Sequence, residues 1–98
     1  MSSASIRAVS GGEFAVEGDV VFATASELLA AGNQLFAAAP SVSVDLTGVK
    51  QLDSAALALV IEWLRQAEHA HKSFALIGIP EKLLAIARLT GAEELIAK

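Results

Sequence analysis

The chain has no cysteine, no tyrosine, one tryptophan, two prolines and only seven basic residues in 98. Each scarcity excludes something. Without cysteine there is no disulfide, no thiolate metal ligand and no thiol nucleophile, which fits a reducing compartment. Seven Lys and Arg against eleven Asp and Glu give a net charge of −4. The basic residues are scattered, so neither nucleic acid nor anionic lipid has an electrostatic reason to bind. No apolar run approaches the roughly 20 residues that cross a bilayer. The opening Met1-Ser2-Ser3-Ala4-Ser5-Ile6-Arg7 has no apolar signal core behind its charge, so export is not expected. Glycine-rich phosphate loops, G-x-S-x-G, H-E-x-x-H and pocket-forming carboxylate pairs are all missing, so neither catalysis nor a cofactor or metal is expected. His69 and His71 stand two apart at a helix end and do not share a face. They read as groups that favour the negative end of the helix dipole or are merely solvated, and Glu62, Arg65, Glu68 and Lys72 read as an ordinary solvated face.

What remains is apolar: 54% of residues are hydrophobic, much of this alanine, enough for one domain over residues 1–98 with one core. Two short strands are expected at 5–9 and 13–16, joined at Gly11-Gly12. Thr24-Ala25-Ser26-Glu27 matches a capping box, with Thr24 as the cap. Ala25, Leu28, Leu29, Gly32, Leu35 and Phe36 then follow at helical spacing until Pro40 stops the helix. A strand at 42–46, a polar loop at 47–53 and a helix at 54–70 come next. In that helix Leu57, Val60, Ile61 and Leu64 fall at i, i+3, i+4 and i+7 and are expected to face the core. A strand at 74–77 precedes a third helix at 80–89 opened by Pro80, with Leu83, Ile86, Ala87 and Leu89 as its apolar positions. Thr90-Gly91-Ala92-Glu93 reads as a second capping box for a short helix at 92–97. A helix between the last two strands implies a right-handed crossover and parallel pairing. The class is α/β, with a four-stranded mixed sheet and about four helices packed on it.

Asp53-Ser54 stands at the junction of loop and helix. A side chain there meets unpaired backbone N–H groups and the positive end of the helix dipole. One of the two residues caps the helix, and Asp45 and Asp53 are expected to accept loop N–H bonds that would otherwise be unpaired. Ala56, Leu59 and Trp63 form a second stripe on the flank of the core-facing one. Either a neighbouring helix covers it, or it forms a partly exposed ridge suited to a protein partner.

Val44-Asp45-Leu46-Thr47 followed by Asp53-Ser54-Ala55-Ala56-Leu57 resembles the signature of the STAS domain, the family of anti-sigma factor antagonists and sulfate-transporter tails. Residues 59–67 and 78–89 look most like its MlaB-type branch. That resemblance implies a non-catalytic cytoplasmic adaptor, peripheral to the inner membrane, bound to the nucleotide-binding ATPase subunit of a phospholipid-transport ABC transporter. The contact residues it implies are Thr47, Gly48, Asp53, Ser54, Ala56, Leu59 and Trp63, without direct membrane insertion; homodimerisation stays open. In anti-sigma antagonists the residue matching Ser54 is phosphorylated, which makes a phosphorylation-switched antagonist the competing expectation. Ala56 departs from the family's usual glycine. Its methyl group is expected to hinder a kinase and to favour a constitutive contact, with Ser54 a contact hydroxyl.

Overall fold

A computed structural model describes residues 2–97; Met1 and Lys98, the ends of the expected domain, lie outside the described residues. The opening hairpin pairs β1 (Ala4–Ser10) with β2 (Glu13–Val20) in antiparallel register, Ile6 against Val16. Gly12 takes the positive φ of 79° that the turn requires. Then α1 (Phe22–Phe36) returns the chain to β3 (Ser41–Leu52), parallel to β2, and α2 (Ser54–His69) returns it to β4 (Ser73–Ile77), parallel to β3. Two further helices follow, α3 (Glu81–Thr90) and α4 (Glu93–Ile96). The sheet order is β1-β2-β3-β4. Successive right-handed crossovers stepping in one direction place their helices on one face of the sheet. Strand burial agrees: Phe14, Val16, Val42, Val44 and Leu46 are buried, whereas Arg7, Glu13, Glu17 and Ala75 are exposed.

The core gathers on that one face. Phe36 touches three aromatic rings edge-on, with centroids 4.8 Å from Phe14, 5.3 Å from Trp63 and 6.5 Å from Phe74. Thr24, Leu28, Gly32 and Phe36, every fourth residue, form the buried line of α1. A Cβ on Gly32 would lie 2.5 Å from Trp63 Cζ2, so the glycine is the space into which the indole fits. The Trp63 Nε1–H points at the Leu29 carbonyl at 3.5 Å, a long contact.

Several local expectations are corrected. Thr24 is the third residue of α1, not its cap: its Oγ1 accepts from the Val21 N–H at 3.1 Å and donates to the Asp19 carbonyl at 2.7 Å. Glu27 is exposed. Thr90 does not open α4. It ends α3, its hydroxyl donates to the Ile86 carbonyl, and Gly91 closes the helix in the left-handed region at φ 75°. Leu89 is 87% exposed, because it follows the buried pair Leu83 and Ala87 by a half-turn. Lys72 is not merely solvated. Its Nζ donates to the Phe36 carbonyl at the end of α1 at 2.6 Å and to that of the following residue, Ala37, at 3.2 Å, placing a cation at the negative end of the helix.

The largest departure is the segment 47–53. It is not a loop, since β3 runs on to Leu52 and pairs with β2 after β4 has ended. Its register slips twice, so Glu17 faces Gly48 and Asp19 faces Gln51. Each slip leaves one extra residue of β3 between paired positions, a bulge-like irregularity that disturbs the inward–outward alternation. Polar Thr47, Lys50 and Gln51 therefore lie exposed on a genuine strand.

Candidate functional site

The carboxyl end of β3 delivers Asp53 in an extended conformation, φ −132°, as the cap of α2. Its Oδ1 accepts from the Ala55 N–H at 2.9 Å. Its Oδ2 accepts from the Phe22 N–H at 3.1 Å, the first residue of α1 and 31 positions away in sequence. One carboxylate thus satisfies donors at the start of two helices, and the expected structural task of Asp53 is what the geometry displays. The cap is Asp53 alone. Ser54, the first residue of α2, is exposed, and among the described residues its hydroxyl makes no hydrogen bond within the chain.

Asp45 makes a smaller version of the same turn, its Oδ1 accepting from the Thr47 N–H at 2.9 Å. That backbone bond, with a lesser contribution from the Thr47 side chain, lowers the Asp45 pKa below its ordinary value of 3.8. Thr47 packs beside Gly78, where an added Cβ would collide with the Thr47 methyl. Gly48 faces Glu17 across the sheet. Six steps of strand at about 3.3 Å each lead from Thr47 to Asp53, an extended span of about 20 Å. The structure therefore does not bring Thr47 and Gly48 to Ser54.

Nor does it leave an apolar ridge. Ala56 is 3% exposed, Leu59 4% and Trp63 1%. All three lie in the core because α2 is flanked on both sides, with α1 over Trp63 and with Pro80 and Leu83 against Ala56 and Leu59. The buried face of α2 is turned toward this stripe, and the expected core residues Ile61 and Leu64 are only half-buried. Two consequences follow: Ala56, Leu59 and Trp63 do not present a surface, and the Ala56 methyl points inward, so it does not hinder access to Ser54.

Phe22 went unnoticed in the sequence. Its side chain is 86% exposed, and its backbone is held by Asp53 beside Ser54. A signal existed: Phe22 stands two residues, about 200° of helix, before Thr24, which opens the buried line of α1. Placing the helix start at Thr24 hid it. Among the described residues no group of three or more His, Cys, Asp or Glu side chains could hold a metal, and no helix is long and apolar enough to cross a membrane.

A four-stranded mixed sheet with its helices on one face is also the fold of several anti-sigma factor antagonists. Three solved structures bear this out. An anti-sigma factor antagonist from Mycobacterium paratuberculosis superimposes with TM-score 0.70 at 19% identity, over 99% of this chain and 84% of its own. A Thermotoga maritima protein assigned as an anti-sigma factor antagonist gives TM-score 0.74 at 16% identity, over 91% and 80%. The anti-sigma factor antagonist SpoIIAA in its unphosphorylated form gives 0.67 at 12%, over 89% and 83%. At these identities the likeness is one of fold. The model of the family described as "Mlab, STAS domain" matches residues 7–97, and the chain belongs to that family. No curated protein matches it. STAS domains are in general non-catalytic modules that mediate protein–protein interactions.

Proposed function

We propose that this chain is a non-catalytic adaptor that docks, through the Ser54 end of α2, on the nucleotide-binding ATPase subunit of an ABC transporter that moves phospholipid. The observation that carries this reading is the match of the MlaB-type family model to nearly the whole chain. The site supports it, since the Ser54 hydroxyl is exposed and is not used as a cap. ATP in this reading belongs to the partner. The adaptor acts only through its difference in affinity for the partner's conformations, each 1.4 kcal/mol giving about tenfold.

A second reading is favoured by the same exposed hydroxyl: an anti-sigma factor antagonist switched by phosphorylation of Ser54. A phosphate adds about −1.5 to −2 charges. With the Ala56 methyl turned into the core, access to Ser54 does not separate the two readings.

Affinity capture from native membranes and cytosol, with identification of the bound chain by mass spectrometry, decides between them. An ABC-type ATPase and unmodified Ser54 support the adaptor. A GHKL-type kinase with stoichiometric phosphate on Ser54 replaces it with the antagonist. A Ser54→Leu variant that captures the ATPase at full strength would remove this end of α2 from the contact.

A further inference from the structure

Phe22 is a large aromatic side chain left in water on a backbone that is not free to move. The Val21 N–H is taken by Thr24 Oγ1, the Phe22 N–H by Asp53 Oδ2, and the Thr24 and Ala25 N–H groups by the Val21 carbonyl at 3.0 Å. Only the two side-chain torsions of the ring remain to be fixed on binding. A rigid, solvated aromatic loses little conformational freedom when it is buried, and such side chains dominate protein contacts.

The electrostatics narrow what it fits. Neither α1 nor α2 carries an acidic residue in its first turn. Each helix start bears roughly half a positive charge, and the two together offset the Asp53 carboxylate they share. The two helix starts and the carboxylate between them thus carry little net charge together, in a chain whose net charge is −4; the acidic side chain nearest in sequence is Asp19, half-buried near the end of β2. The complement of the ring is an uncharged apolar pocket, not a basic groove or an anionic bilayer.

We propose that Phe22 is the anchor with which this surface enters an apolar, uncharged pocket of the partner protein, and that Asp53 is a positioning residue that sets the ring beside Ser54. The proposal rests on the adaptor reading, and names the side chain and the pocket chemistry that reading lacks. Leu89, equally exposed in the last turn of α3, is the control.

The test measures binding of the purified ABC-type ATPase subunit to the wild-type chain and its variants by calorimetry. Phe22→Ala is expected to weaken binding at least about tenfold, as an anchor residue does. Phe22→Leu should keep most of the affinity, and Leu89→Ala all of it. Asp53→Ser, which retains a cap for α2 but loses the bond to the Phe22 N–H, should weaken binding in the wild-type background and not in the Phe22→Ala background. That coupling is a readout that a merely structural role would not give. Wild-type affinity in Phe22→Ala overturns the anchor while leaving the adaptor standing. If the wild-type chain does not bind the ATPase, the adaptor reading fails, and the same series run against the captured kinase decides the anchor by the same criterion. If the wild-type chain binds neither protein, the anchor is overturned as well. It is also overturned if Phe22→Ala abolishes a dimer seen by sedimentation, or binding to vesicles of phosphatidylethanolamine and phosphatidylglycerol, since the occupant would then be a second copy or a membrane.

Discussion

The same two helices meet twice, and the two meetings are built differently. Midway along, α1 and α2 are joined by shape: Gly32 opens a gap, Trp63 fills it, and Phe36 packs edge-on against the indole. At their starts they are joined by one carboxylate, which takes one N–H from each and leaves Phe22 and Ser54 in water. The packed meeting holds the fold together, while the hydrogen-bonded one fixes a backbone and leaves its side chains unspent. A partner can use only the second.

The contrast breaks most sharply at Trp63. Trp63→Ala is expected to cost about 3–5 kcal/mol, the usual range for emptying a large aromatic site. In a domain whose whole stability is about 5–15 kcal/mol, this lowers the urea midpoint steeply or abolishes the cooperative transition. A loss below about 1 kcal/mol would mean that the indole does not fill the α1–α2 interface. Next comes Gly32→Ala. At an exposed helical site this exchange would stabilise by about 0.5–1 kcal/mol. Here the new methyl meets the indole, and overpacking should reverse the sign to a loss of about 1–3 kcal/mol. Adding Trp63→Phe, which removes the Cζ2, Cε2 and Nε1 atoms nearest that methyl, should recover part of the loss. Strict additivity of the two substitutions in urea melts would disprove the contact.

These two regions were unequally legible in sequence, for physical reasons. Element order, the parallel pairing of β3 with β4 and the general position of every helix follow from periodicity and from Gly and Pro, which act locally. The rotation of α2 does not. Both stripes, Leu57/Val60/Ile61/Leu64 and Ala56/Leu59/Trp63, are apolar; Leu57 and Val60 are buried as expected, and the inward face extends to Ala56, Leu59 and Trp63 rather than to Ile61 and Leu64, partly because Gly32 of another helix admits the indole. The 47–53 segment was obscured by its bulges, which make a strand look aperiodic. A cap at Asp53 or Ser54 was legible from their own neighbourhood, and the structure assigns it to Asp53. The second bond of Asp53 was not legible, because its partner is 31 residues away and any backbone N–H would serve. Phe22 was lost with the misplaced start of α1, an error of three residues (cap expected at Thr24, found at Val21) that moved it from the solvent side of a helix to a linker.

The second meeting is sharpened by Asp53→Ala, which removes both bonds and is expected to cost about 1–2 kcal/mol, near the upper end for an N-cap. Asp53→Ser should cost less, because a hydroxyl still caps α2. Ser54→Ala is the contrast: an exposed hydroxyl without an internal partner should change stability by no more than about 0.5 kcal/mol in either direction. Chemical denaturation of the three variants ranks them. If Ser54→Ala matched Asp53→Ala, the hydroxyl would be acting as the cap and would not be free for a partner.

The smallest effect separates the two aspartates that bracket the bulged half of β3. Asp45 and Asp53 each accept the N–H two residues ahead at 2.9 Å, so the local turns are alike. Only Asp53 has a second, distant donor, so Asp45 is the measure of what the turn alone contributes. Its pKa is lowered in the folded chain by the Thr47 backbone bond and then by the Thr47 side chain. A lowered carboxylate pKa stabilises the fold above the unfolded value, and that contribution fades as pH falls through the folded one. The window therefore lies below the ordinary value of 3.8. Carbon-detected NMR titration should show the Asp45 carboxyl protonating below that value, and Thr47→Val should move it back part of the way, since the backbone bond stays. Between pH 7 and pH 3 the stability gap between wild type and Asp45→Asn should shrink. An Asp45 that titrates at or above its ordinary value would mean that the Asx turn at Thr47 does not persist in solution. The comparison would then rest on the helix-bridging carboxylate alone.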